Sequence, residues 1–232
     1  MADMQDILLI IPSYNEEKNI EKVVGELEKE FPQLDYLVVN DGSTDQTARI
    51  CRKNGYHMLD LPVNLGLAGC FQAGMKYAYK KGYSYAIQFD GDGQHKPEYI
   101  EAIRKKMDEG YDLVIGSRFV DKKKGFSIRM IGSRLIAWSI RVTTGVSVKD
   151  PTSGMRMFNR EMIREFALNL NYGPEPDTVS FLIKQGAKVA EVPVVIADRL
   201  AGESYFNPIV AAAYMVRMLI SILVIQNFRV RG

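Results

Sequence analysis

Cysteine is scarce: only Cys51 and Cys70 occur in 232 residues, and a single pair without framework spacing excludes a disulfide-stapled scaffold. Both lie in stretches patterned as helix, so two thiols in a reducing compartment are expected. Charge bias is also missing. Lys and Arg number 30 against 28 Asp and Glu, a net charge of +2, which removes any general electrostatic reason to bind nucleic acid and makes any basic site local. No basic leader precedes the apolar run Ile7 to Ile11, and that run is too short for the hydrophobic region of a signal peptide. It reads as a buried strand of a cytosolic protein. The N-terminal region also lacks a glycine-rich phosphate loop, which argues against a nucleotidyltransferase. Repeats and low-complexity segments are absent, and the length suffices to bury a core without cross-links.

What is present is an alternation. Short apolar runs at Ile7 to Ile11, Tyr36 to Asn40, Tyr85 to Asp90 and Leu113 to Ser117 alternate with helical patterns at Glu17 to Glu30, Thr44 to Asn54 and Gly69 to Lys81. In the first of these helices Ile20, Val23, Val24, Leu27 and Phe31 share one face. This order predicts an α/β fold with a Rossmann-like, mostly parallel sheet flanked by helices. Later, Phe119 to Lys124 forms a basic loop and Phe126 to Thr144 a helix carrying Arg129, Arg134 and Arg141. Met155 to Phe158 and Ala187 to Val195 read as strands with a helix at Asp177 to Gln185 between them. Pro208 to Phe228 is almost wholly apolar. The expected division is a catalytic domain over residues 1–206 and a C-terminal helix over residues 207–232.

Each early strand ends in a polar loop, where an open α/β sheet places its ligands. Asp90-Gly91-Asp92 sets two carboxylates two residues apart at a strand end, with Gln94 as a third oxygen donor. Hard oxygen ligands at this spacing suit Mg²⁺ or Mn²⁺ bridging the phosphates of a nucleotide. Asp-Gly pairs are also ordinary turn formers, so the short motif alone is equally explained by a solvated loop. Two further strand ends count against coincidence. Asn40-Asp41-Gly42-Ser43-Thr44-Asp45 offers Asp41 to a base or ribose, with Ser43 or Thr44 available to cap the next helix. Ile11-Pro12-Ser13-Tyr14-Asn15-Glu16 offers an aromatic surface at Tyr14 and an acceptor at Glu16, although acids in a first helical turn need no ligand to explain them.

Together with Asn64-Leu65-Gly66 and Gln94-His95-Lys96-Pro97, these motifs resemble the family 2 glycosyltransferases of the GT-A fold. The resemblance implies that Pro12, Tyr14, Glu16, Asp41, Gly66 and Asp90 bind a nucleotide diphosphate sugar, and that Asp90, Asp92 and Gln94 hold the metal. Asn40 departs from the pattern, since many relatives carry a second Asp there. Gly116-Ser117-Arg118-Phe119, Asp150-Pro151-Thr152-Ser153-Gly154-Met155-Arg156-Met157-Phe158 and Arg199-Leu200-Ala201-Gly202-Glu203-Ser204 resemble the dolichol- and polyprenyl-phosphate sugar transferases within it. That likeness implies a lipid phosphate acceptor held by Arg118, Arg129 and Ser153, and an Arg199 that steadies the donor diphosphate. Guanidinium groups recognise phosphate through paired donors, though arginines on a surface loop also serve solubility. Tyr205 stands where the motif usually carries a lysine.

Asp92, Arg199 and Asp150 are the residues expected to carry the chemistry. A hydroxyl acceptor would need a base, with Asp150, Glu175 and Asp177 as candidates. A phosphate acceptor would need none and would leave Asp150 to position its loop. A lipid acceptor requires a membrane, yet Arg217 in the middle of the apolar C-terminal segment makes it a poor span. With Ser221 one turn on, it forms a narrow polar stripe suited to the interface of a bilayer, where Arg229 and Arg231 would meet headgroups, or to a second subunit. Covering the domain's own core is the simpler role. The expected location is the cytoplasmic membrane face. A family 2 enzyme with a saccharide acceptor and an Asp or Glu base, and a non-catalytic nucleotide-binding scaffold, are the competing expectations.

Overall fold

A computed structural model describes residues 4–121, 128–169, 172–195 and 208–227. Seven strands form one sheet: β1 (Ile7–Ser13), β2 (Asp35–Asn40), β3 (Met58–Asp60), β4 (Tyr85–Gln88), β5 (Leu113–Ser117), β6 (Arg156–Asn159) and β7 (Val189–Pro193). Their order is β3-β2-β1-β4-β6-β5-β7. Every pairing is parallel except those of β6, which runs antiparallel to both β4 and β5. The helices are α1 (Ile20–Glu30), α2 (Thr47–Asn54), α3 (Gly66–Lys81), α4 (Ile100–Met107), α5 (Ile128–Thr144), α6 (Arg160–Leu168), α7 (Pro176–Lys184) and α8 (Pro208–Leu223).

Side chains alternate across a strand, and β1 shows why a continuous apolar run belongs in the centre of a covered sheet. Ile7, Leu9 and Ile11 join one buried cluster with Ile20, Val23, Val24 and Leu27 of α1. Leu8 and Ile10 join the opposite cluster with Phe71 and Met75 of α3. Three phenylalanines from α3, β6 and α6 (Phe71, Phe158 and Phe166) meet at ring-centroid distances of 5.1 to 5.3 Å, tilted or edge-on, an arrangement favoured by their quadrupoles.

Three elements escaped the periodicity. Strand β3 is only three residues long, and α4 is dense in charge. Helix α6 did carry a signal: the Asn159 side chain accepts the Met162 amide at 2.9 Å, an N-cap that an Asn before a charged turn announces. The expected capping by Ser43 or Thr44 is not what the structure shows. Ser43 Oγ accepts the Asn15 amide and Asn15 Oδ1 accepts the Thr44 amide, while Asp45 Oδ1 accepts the amide of Thr47. These residues fasten the loops after β1 and β2 to one another.

The C-terminal helix α8 packs on α5 and α7, and its Met218 and Ile222 are buried in the same cluster as Leu8 and Phe71. Both polar residues of the stripe bond to the start of α7: exposed Arg217 pairs with Glu175 at 2.9 Å, and buried Ser221 donates from Oγ to Asp177 at 2.7 Å. No helix among the described residues is long and apolar enough to cross a membrane.

Helix α3 approaches β1 through Gly74, where a Cβ would lie 2.4 Å from Ile10 Cγ2 and 2.9 Å from two more of its carbons. Because Ile10 is fully buried, Gly74→Ala is expected to destabilise the fold by about 1–3 kcal/mol through overpacking. Urea unfolding monitored by circular dichroism measures this loss.

Candidate active site

Most of the residues expected to bind a nucleotide and a metal lie at the carboxyl ends of β1, β2 and β4. Strand β1 pairs with β2 on one side and β4 on the other, which makes this edge the switch point where open α/β sheets bind ligands. The turn after β4 packs on the end of β1: a Cβ at Gly91 would meet Ser13 Oγ at 3.1 Å and the Pro12 carbonyl at 3.2 Å. Glycine therefore lets the two strand ends close up, bringing the Asp90–Asp92 turn beside Pro12 and Ser13. Asp92 is buried and its Oδ1 accepts the Gln94 amide at 3.1 Å. Asp90 is the more open, its side chain 32% exposed. Tyr14 is exposed, and Glu16 accepts from Asn19 Nδ2 at 2.6 Å.

Asp41 is buried and accepts the amides of Leu65 and Gly66, one on each oxygen, at 2.7 and 2.9 Å. Here a carboxylate from β2 caps α3 from outside, where both the unsatisfied amides and the macrodipole favour negative charge. Gly66, at φ +73°, thus enters the site with its amide already bonded. Asn40 Nδ2 donates to Asp60 at 2.6 Å, so the residue that departs from the family pattern ties β2 to β3.

Because β6 is antiparallel, the loop preceding it reaches the same sheet edge as the ends of β4 and β5. Gly154 in that loop sits against the turn after β4: its Cβ would lie 3.3 Å from Asp90 Oδ2 and from His95 Cε1. Asp150, at the start of the loop, is fully buried. Arg118 Nε and Nη2 donate to its two oxygens at 2.7 Å each, and the Arg118 amide adds a third bond at 3.1 Å. The Asp150 amide and the Lys149 amide both donate to Glu191 of β7 at 2.7 Å. Burial alone would raise the pKa of Asp150, but the hydrogen bonds and charge of Arg118 outweigh it and hold the carboxyl below its ordinary range.

This geometry corrects the expectation for Asp150 as a proton acceptor. Its oxygens are closed around a guanidinium, and a buried carboxylate held in its charged form by a partly buried cation is a poor base. Ser153 is corrected as well, because it is buried and its hydroxyl donates to the Gly116 carbonyl. Arg118 keeps its place at the site but has committed Nε and Nη2 to Asp150. Glu175 and Asp177 lie with α8, as described above. The side chain of Arg129, and Arg199 with its motif through Ser204, lie outside the described residues, as do Lys122 to Lys124, Arg229 and Arg231.

Residues 8–166 match the family described as Glycosyl transferase family 2. The chain belongs to that family. Polyprenol monophosphomannose synthase of Mycolicibacterium smegmatis is 32% identical over 216 residues, covering 86% of this chain and 80% of that protein. Undecaprenyl-phosphate mannosyltransferase of Micrococcus luteus is 31% identical over 212 residues, covering 85% and 86%. The solved glucosyl-3-phosphoglycerate synthase of Mycobacterium tuberculosis, in complex with Mn²⁺, uridine diphosphate and phosphoglyceric acid, superposes with a TM-score of 0.67 at 22% identity, over 95% of this chain and 78% of that one. That likeness establishes the α/β GT-A fold.

Two residues of this glycosyltransferase went unnoticed as site residues in its sequence. Arg156 is fully buried and donates to the carbonyls of Pro151, Ser153 and Pro174, so it sutures the loop before β6 to the segment before α7. Burial lowers its pKa to about 10, which leaves it a cation at neutral pH. His95 contacts Asp90 twice. Neither spacing nor periodicity marks such roles.

The Arg118–Asp150 pair yields a pH prediction. A folded-state pKa below the unfolded value near ~3.9 means that the stabilisation is complete above that pH and is lost as pH falls through the folded value. Asp150→Asn is expected to cost about 3–5 kcal/mol at pH 7, because it leaves a partly buried guanidinium without its counter-ion. The gap from the native protein should narrow as pH drops below ~4, as urea midpoints at neutral and acid pH would show.

Proposed function

We propose that the protein transfers a sugar, with inversion, from a nucleotide diphosphate sugar to a polyprenyl phosphate at the cytoplasmic face of a membrane. One observation carries this reading: all three carboxylates placed to act as a base hold structure instead. Asp150 clasps Arg118, Glu175 pairs with Arg217, and Asp177 accepts from Ser221 and from the Thr178 amide. A hydroxyl acceptor needs a group that removes its proton. A phosphate monoester, with a second pKa near ~6, is largely ionised at neutral pH and needs none. The Mycolicibacterium and Micrococcus relatives, a polyprenol monophosphomannose synthase and an undecaprenyl-phosphate mannosyltransferase, support the same acceptor class.

In this reading Pro12, Tyr14, Glu16, Asp41 and Gly66 form the donor pocket. Asp90, Asp92 and Gln94 would hold Mg²⁺ or Mn²⁺, and their oxygen donors fit a hard cation. Among the described residues no group of three or more His, Cys, Asp or Glu is arranged to hold a metal ion by itself, and two carboxylates and an amide would leave coordination positions for phosphate oxygens and water. When bound, the ion neutralises charge on the departing diphosphate, and Arg199 is assigned to the same group. Arg118, oriented by Asp150, and Arg129 receive the acceptor phosphate. The close approach of Gly154 to Asp90, where an added Cβ would lie 3.3 Å from Oδ2, supports a reading in which acceptor and donor bind side by side, the proximity that transfer demands.

Membrane access is supported by two neighbouring helices. Ile131, Leu135, Trp138 and Val142 repeat at helical spacing on α5 and are all exposed, as are Val216, Ile220 and Leu223 on α8. Exposed Arg141 follows Trp138 by one turn, the combination of apolar stripe and basic rim that seats a helix at a bilayer interface. The buried free thiols Cys51 and Cys70 favour a cytoplasmic location.

Two experiments test the proposal. A panel of nucleotide sugars incubated with Mn²⁺ and undecaprenyl phosphate should yield a lipid-linked sugar, and Asp92→Ala or chelation should abolish it. Glu175→Gln and Asp177→Asn should keep turnover within about tenfold, whereas losses of about 10²–10⁴ would identify a base and refute the phosphate mechanism. In flotation with anionic vesicles, the double variant Trp138→Glu/Ile220→Glu should stay in the soluble fraction while the native protein floats. Unchanged flotation would remove these helices from the membrane contact.

A further inference from the structure

His95 lies in the turn after Asp90-Gly91-Asp92 with its side chain only 1% exposed. The ring stacks edge-on against Phe89 with centroids 5.7 Å apart, and the backbone of Gly154 closes over its Cε1. Both ring nitrogens face the same residue. The Asp90 amide donates to Nδ1 at 3.0 Å, and Nε2 lies 3.2 Å from Asp90 Oδ2. A nitrogen that accepts an N–H carries no proton itself, which leaves Nε2 as the donor nitrogen of the ring. Nε2 therefore donates to the Asp90 carboxylate.

We propose that His95 is a positioning residue for cation binding: one buried imidazole clamps both the backbone and the carboxylate of Asp90, engaging Oδ2 and presenting Oδ1 to a divalent cation. The inference rests on the metal reading of Asp90 and Asp92. Its physical basis is that a ligand whose rotamer is already fixed loses little side-chain freedom when the ion arrives. Groups that hold a ligand in this way typically change metal affinity by about 10–100-fold when replaced. Gly154 completes the clamp, because any side chain there would press on both the Asp90 carboxylate and the His95 ring.

The two contacts can be separated by substitution. Asparagine places an acceptor where Nδ1 stands and cannot reach Oδ2, whereas glutamine places a donor where Nε2 stands and gives up the backbone bond. Mn²⁺ binding is read from the electron paramagnetic resonance signal of the free ion, titrated into the native protein, His95→Asn, His95→Gln and Asp92→Ala, with thermal unfolding of each. The expected result is a Mn²⁺ dissociation constant raised about 10–100-fold in His95→Asn, with His95→Gln close to native whatever its melting temperature. Native-like affinity in His95→Asn, or equal loss in both histidine variants tracking their melting temperatures, would overturn the proposal. If His95→Asn does not fold, a folded His95→Gln that loses Mn²⁺ overturns it and one that retains Mn²⁺ supports it. Mn²⁺ binding lost in Asp92→Ala but kept in His95→Asn would leave the metal site standing and remove His95 alone. Absence of binding to the native protein would remove both.

Discussion

The bidentate contact between Arg118 and Asp150 joins the end of β5 to the loop before β6, and the shape of that loop depends on it. Asp150 is fully buried and Arg118 partly so, and an ion pair in that setting fixes geometry through the penalty for separating it more than through net stabilisation. Glu191 fixes the same loop from the other direction by accepting the Lys149 and Asp150 amides. Arg156 holds it through the carbonyls of Pro151 and Ser153 and ties it to that of Pro174. Four charged side chains thus shape the loop, and the sequence offered two of them, Arg118 and Asp150, as reactive groups.

The same logic extends to α8. Glu175 and Asp177 stand at the start of α7, and their partners Arg217 and Ser221 project from α8 one turn apart. An exposed ion pair such as Arg217–Glu175 adds little stability. Together with the burial of Met218 and Ile222 it nonetheless sets which face of α8 turns inward, and therefore which apolar residues remain outside. The exposed stripes on α5 and α8 are the complement of this packing. Gly132 of α5 allows the two helices to approach, since a Cβ there would overlap Met215 of α8.

On the donor side, legibility tracked locality. Strands β1, β2, β4 and β5 emerged from apolar runs, and α1 from its 3.6-residue period, because burial on a sheet or a helix imposes those repeats directly on neighbouring residues. The polar strand ends fell together because parallel order alone delivers them to one edge. What stayed hidden was local structure too short or too charged to show a period, as in β3 and α4, and every role set by a distant partner. Ser43 looked like a cap and instead binds the backbone of Asn15, 28 residues away.

The amino-acid sequence by itself determined the fold class, the family and the gathering of Asp41, Asp90 and Asp92 at one sheet edge, because these follow from periodicity and from the order of strands along the chain. Only the tertiary structure decided what the remaining acids do. Asp150 meets Arg118 across 32 residues and Glu191 across 41, and Asp177 meets Ser221 across 44. Whether a carboxylate takes a proton or anchors a loop is settled by its nearest cation and its access to water. Neither quantity exists until the chain has folded.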